Sequence, residues 1–175
     1  NVICDHRPLK AEPYRVRLTV GGDKLHYDAD AGSPAASLLE TKLIVNSCIS
    51  DAKKGARFAT ADLKDFFLAT PMAKPEYMKI RYKYLPADIR ASYNLDTIVD
   101  PDGYLYVKIQ KGMYGLKQAA ILAYDNLVKL LAPHGYRPCP TTTGLCRHTT
   151  RPTHFSLCVD NSGFNTVSTG AHTHL

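Results

Sequence analysis

Long apolar runs are the first thing this sequence lacks. The longest uninterrupted one, Ala119 to Tyr124, is far short of the ~20 residues that a membrane-spanning helix needs. A spanning helix is excluded, and no membrane partner is expected. An Asn-x-Ser/Thr sequon is missing too, as is a secretory leader pattern. The five cysteines, Cys4, Cys48, Cys139, Cys146 and Cys158, are odd in number and scattered. Reduced thiols and an intracellular setting, cytoplasmic or nuclear, are therefore the expectation. With neither internal repeats nor low-complexity stretches, the chain reads as no repeat array, coiled coil or disordered tail.

What is present is the composition of an ordinary globular protein, 45% hydrophobic and 22% charged over 175 residues, which predicts one domain able to bury a real core. The formal charge is +6, which favours polyanionic partners and is equally compatible with a merely solvated basic surface. Residue 1 is Asn and the chain stops at Leu175 without a helix stop, so an excerpt of a longer chain is expected.

Hydrophobic periodicity predicts the elements. Arg15 to Val20 alternates cation and apolar residue before Gly21-Gly22, a strand running into a turn. Ser33-Pro34 reads as an N-cap with proline at the first helical position, followed by Leu38, Leu39, Leu43 and Ile44 at helical spacing, so a helix is expected near 35–50. Phe58 to Leu63 reads as a short strand carrying Asp62 near its end. Met78, Ile80 and Tyr82 alternate with Lys79, Arg81 and Lys83, as do Leu105, Val107 and Ile109 with Tyr104, Tyr106 and Lys108, giving two strands with one buried face each. Gln118 to Leu131 is a second helix, ended by Pro133 and Gly135. Phe155, Leu157 and Val159 form a last strand up to a tight turn at Asp160-Asn161.

Three constellations stand in order: Asp62 at a strand end, the glycine turn Met113 to Gln118 opening a helix, and Asp160 at a hairpin tip. Carboxylates from separate strands suit a polymerase, because two divalent ions about 3.5 to 4 Å apart must clamp the attacking and leaving oxygens of phosphoryl transfer. For any lone aspartate a solvated turn or cap is the commoner role. Ala61-Asp62-Leu63-Lys64-Asp65-Phe66-Phe67-Leu68, then Lys111-Gly112-Met113-Tyr114-Gly115-Leu116-Lys117-Gln118-Ala119, then Cys158-Val159-Asp160-Asn161, resemble the successive blocks of reverse transcriptases of copia-type retrotransposons. The likeness runs from about Arg15 to Leu175, and its middle block is the most specific.

The resemblance implies an RNA-directed DNA polymerase working with template, primer and deoxynucleoside triphosphates, as part of a retroelement polyprotein. It implies an α+β fold of fingers and palm, fingers-like over about 1–56 and mostly palm over 57–175, with an antiparallel palm sheet backed by helices and no thumb. Asp62 and Asp160 would ligate two Mg2+ ions, or Mn2+. Phe67 would exclude a ribose 2′-hydroxyl, or else is a core residue; of the adjacent Phe66 and Phe67, one is expected to be core whichever faces the site. Asp65 would lie near the triphosphate. Tyr114, Gly115 and Gln118 would meet base, sugar or template, and Lys117 a backbone phosphate. Arg15 or Arg17 would grip the triphosphate, while Lys79, Arg81 and Lys83 either track nucleic acid or form the wet face of a strand.

Departures from the family pattern set further expectations. Asn161 and Cys158 stand where a second aspartate and an aromatic residue belong, and Ala120 where proline or glycine is usual. Asparagine keeps an oxygen acceptor without the charge, so the divalent site is expected to be weakened at this degenerate position. Ser162 to Thr166 is expected to pair poorly, leaving a decayed hairpin, and the chain stops before the primer-positioning segment, a thumb or a ribonuclease H portion. Two other readings follow: a catalytically inactive nucleic-acid-binding relic, and a zinc-stabilised module on Cys139, Cys146, His148 and His154, whose spacing is wide for a zinc knuckle.

Overall fold

A computed structural model describes residues 2–167; the last part of the family likeness, 168–175, lies outside the described residues. In chain order the elements are β1 (Val2–His6), β2 (Tyr14–Leu18), α1 (Leu38–Ser50), β3 (Arg57–Asp62), β4 (Pro71–Arg81), α2 (Ala87–Ser92), β5 (Tyr104–Lys111), α3 (Ala119–Leu131), β6 (Tyr136–Pro138), β7 (Leu145–His148), β8 (Thr153–Cys158) and β9 (Asn161–Thr166). The sheets are a β1-β2 ribbon, a β4-β5 ribbon and a five-stranded sheet of order β3-β9-β8-β7-β6. All these pairings are antiparallel, so the chain is α+β with antiparallel sheets.

The start of α1 differs from the expectation at Ser33-Pro34. Ser37 is the N-cap, its hydroxyl accepting from the Leu39 amide at 3.1 Å, while Glu40 accepts from the Ser37 amide at 2.8 Å to complete a capping box. Only Ser37 has a glutamate three residues on, and such a reciprocal cap satisfies two orphan donors at once. The preceding segment is tied to the sheet instead, with the Ala36 amide donating to the Leu157 carbonyl at 2.8 Å.

The expected decay of the hairpin is not what the structure holds. β9 is an inner strand, paired to β3 on one side and β8 on the other, and Ser162 to Thr166 are all buried. Two of its polar side chains hydrogen-bond across to neighbours: Asn165 donates to Ser47 Oγ at 2.7 Å, its own side-chain oxygen staying buried without a partner, and Thr153 donates to Thr166 at 3.2 Å. A ladder on both edges satisfies the backbone whatever the side chains are.

Side chains alternate across a strand, and this sets the layers. Phe164 joins Phe155, Leu157, Tyr136 and Cys146 in a core packed by Tyr124, Leu127 and Leu131 of α3, whereas Asn165 faces Ser47 of α1. The helices thus lie on opposite faces of the sheet. Full burial of side chains such as Phe155 and Leu157 contributes about 1.5–3 kcal/mol each. A second core of Val20, Ile109, Leu116 and Ala119, with Phe67 and Met78 packed on it, joins the β4-β5 ribbon to the start of α3.

Candidate active site

The β3-β9 pairing brings the two outer sequence blocks together. Asp62 ends β3 directly opposite Asn161, the first residue of β9, and the Leu63 amide donates to the Asp160 carbonyl at 2.8 Å. Asp160 occupies the two-residue turn between β8 and β9 with Val159. That turn holds Val159 at φ 59, in the left-handed region that β-branched residues rarely enter. Asp65 has φ 54. Conformations of this kind cost roughly 1–3 kcal/mol and cluster at functional sites.

A cleft of about 550 Å³ opens beside this junction. Asp62, Asp65, Asp160, Arg15 and Tyr114 all line it, so five expected site residues converge from β2, the end of β3, the glycine turn and the hairpin tip. Arg7, Glu12, Tyr14 and Lys64 line it as well, none of which the sequence singles out for this role. Arg7 and Glu12 belong to the β1-β2 connection, and β1 is exposed throughout, so it carries no alternating pattern to mark the hairpin.

Arg15 and Arg17 are separated by the structure. Arg15 lines the cleft; Arg17 lies 5.7 Å from the Tyr114 ring centroid and 3.8 Å from the Asp5 carboxylate. Tyr114 is braced by Phe67, whose ring meets it edge-on with centroids 5.2 Å apart. Phe67 itself is half-buried on the second core, so it supports the cleft through Tyr114.

The rest of the glycine block turns toward the protein. Gly115 has φ 93, and a Cβ there would lie 2.1 Å from the Val20 carbonyl oxygen. Only glycine allows that backbone approach, which the Val20 amide reinforces by donating to the Tyr114 carbonyl at 2.9 Å. Gln118 is buried and donates to Glu76 at 2.9 Å, leaving its own carbonyl oxygen unpartnered. Lys117 donates to the Leu25 carbonyl at 2.7 Å. None of these three lines the cleft.

The donor atoms of Asp62 and Asp160 are hard oxygens, suited to magnesium. Asn161 bears on them directly: its amide donates to Asp160 Oδ1 at 2.8 Å, so one carboxylate oxygen is already engaged. Among the described residues no group of three or more His, Cys, Asp or Glu side chains is placed to hold a metal ion. Asp62 and Asp160 thus stand as a pair, which would need water and substrate phosphates to complete any ion's shell. The zinc ligand set likewise does not assemble. Cys146 is core, where burial first and the neighbouring Cys139 second push its thiol up to about 11. Cys139 is held down to about 7 by hydrogen bonding to Thr141 and then Thr142.

Compared with family models, curated proteins and solved structures, the chain matches none.

Proposed function

We propose that this chain carries the fingers and palm of an RNA-directed DNA polymerase of the copia retrotransposon kind, adding deoxynucleotides to a primer on an RNA or DNA template. The observation that supports this most is the cleft uniting Arg15, Asp62, Asp65, Tyr114 and Asp160, which residues from three separately recognised blocks line together. In the reaction the primer 3′-oxygen forms a bond to the α-phosphorus, the bond from that phosphorus to the bridging oxygen breaks, and pyrophosphate leaves with the electron pair. The 3′-hydroxyl proton passes to solvent.

Asp62 and Asp160 would hold magnesium or manganese, which when bound supplies charge neutralisation on the phosphates. Arg15, which lines the cleft, offers a guanidinium to the triphosphate, where a cation stabilises developing charge. Tyr114, braced by Phe67 and flanked by Arg17, offers a ring to base or sugar. The remainder of a retroelement polyprotein would supply the grip on the primer.

A second reading, an inactive nucleic-acid-binding relic, is favoured by the amide of Asn161 engaging Asp160. Primer extension on an RNA template with deoxynucleotides and magnesium or manganese, run on the chain and on Asn161→Asp, tests both. Extension by either, abolished by Asp62→Asn, supports the polymerase reading. Extension that survives Asp62→Asn refutes the site assignment, and silence from both proteins supports the relic.

A further inference from the structure

The β4-β5 ribbon has two unlike faces. Its inner face presents Met78, Ile80, Leu105 and Ile109, and the last two are buried. On its outer face every cross-strand pair in the regular part of the ladder joins one cation to one tyrosine: Tyr77 opposite Lys108, Lys79 opposite Tyr106, and Arg81 opposite Tyr104. Lys79 Nζ lies 4.1 Å from the Tyr104 ring centroid and 5.5 Å from that of Tyr106, and the Arg81 guanidinium lies 4.8 Å from Tyr104. Tyr77 and Tyr106 are 63% and 64% exposed. No acidic side chain forms an ion pair with these cations among the described residues, so their charge is open to a partner.

We propose that this face is a binding platform for single-stranded nucleic acid. Each nucleotide carries one phosphate and one base, and the ladder repeats one cation and one aromatic ring about every 7 Å, the advance of two residues along a strand. Unstacked bases lie on aromatic rings while cations track the backbone, and this needs no sequence readout. A duplex keeps its bases stacked inside and can meet only the cations. An acidic peptide likewise engages the charges and leaves the rings unused. The ladder stands apart from the proposed polymerase chemistry, since none of its six residues lines the cleft holding Asp62 and Asp160.

Fluorescence anisotropy with labelled oligo(dT), without nucleotides or divalent ions, tests the platform independently of any synthesis. Tyr106→Ala is expected to weaken binding about 5- to 150-fold, the range for losing one stacked base, and Tyr106→Phe to bind like the parent chain. The double variant Lys79→Gln, Arg81→Gln is expected to flatten the slope of log affinity against log salt by about 1.4, roughly 0.7 per phosphate contact on a single strand. Because Tyr106 is exposed, its variants are expected to melt close to the parent protein. Undiminished binding by Tyr106→Ala, a preference for duplex of equal length, or displacement by polyglutamate as readily as by unlabelled oligo(dT) would overturn the proposal.

Discussion

Replacing Asn161 by Asp removes the amide that donates to Asp160 Oδ1 at 2.8 Å and sets a carboxylate in its place. A hydrogen bond to a charged acceptor contributes about 1.5–3 kcal/mol net of the water that replaces it. Two like charges about 4 Å apart repel by about 1 kcal/mol in water and about 4 kcal/mol at the effective dielectric of a protein surface. Asn161 is exposed and Asp160 half-buried, so solvent screens most of this, and a net destabilisation of about 2 kcal/mol is expected without divalent ions. For a domain of this size that lowers the melting temperature by about 4–8 °C. A divalent ion bound between Asp62, Asp160 and the new carboxylate reverses the sign of the local interaction. At tenfold excess over its Kd such an ion restores about 1.4 kcal/mol, provided that it binds only the folded state. Thermal melts by circular dichroism suit a chain without tryptophan; they are run in EDTA, in magnesium and in manganese. The variant should melt low in EDTA and recover in metal by several degrees more than the parent. A variant melting like the parent in EDTA, or one indifferent to both ions, would show that Asn161 does not control Asp160, and the account of the degenerate tip would fall.

Gly115→Ala combines a left-handed backbone with a Cβ 2.1 Å from the Val20 oxygen, and should cost about 2–4 kcal/mol; a urea midpoint unchanged from the parent refutes the close approach. Val159→Gly should be neutral or stabilise by about 1 kcal/mol, since relief of the φ 59 strain offsets the added freedom of the unfolded chain. A loss above about 1 kcal/mol would show that the turn is unstrained. Cys139, held down to about 7 by Thr141 first, should be alkylated by iodoacetamide with a rate that rises to its half-value near that pH, because the thiolate is the nucleophile. Thr141→Val should move the half-value upward, and a half-value near the ordinary thiol range in the parent refutes the hydrogen bond. Cys146, raised to about 11 by burial, keeps its proton in the folded state. Its contribution to stability is therefore complete below the ordinary thiol range and lost as pH climbs toward the folded value, so Cys146→Ala should flatten the alkaline decline of the melting temperature.

The regular parts of the fold were legible because their signal is local. The β4 and β5 alternation and the stripe of α3 each need only period, and β5 and α3 lie where their patterns put them, whereas β4 starts earlier, at Pro71, and ends at Arg81, so that Tyr82 and Lys83 fall in the turn after the strand. Ser37 could have been found as a cap from its own Glu40, yet Ser33-Pro34 offered a competing local signal, and the tertiary bond from Ala36 to Leu157 decided between them. The burial of β9 was hidden because Ser162, Asn165 and Thr166 look like a surface strand until Ser47 and Thr153 are known to face them. The partner of Gln118 is a further contact that the sequence hides. The side chain that the block suggests for base or sugar is spent on Glu76, a contact across 42 positions of chain that no local pattern encodes.

The meeting of Asp62 and Asp160 depends on no chemistry between them. It follows from β9 inserting between β3 and β8, a register fixed by ladders on both edges and by Phe164 entering the core beneath α3. A slip of one residue would send Phe164 to the α1 face and Asn165 into the apolar core, at a cost far above anything the carboxylates contribute. The scaffold is therefore expected to tolerate changes at the hairpin tip. Asn161 sits at the first position of β9, where its backbone is paired to both Asp62 and Cys158 and its side chain is exposed, so the register does not depend on which side chain stands there. For that reason a correctly folded chain is no test of polymerase activity here. The same reasoning makes Asn161→Asp a change that the fold should accept, with its effect confined to charge at the hairpin tip.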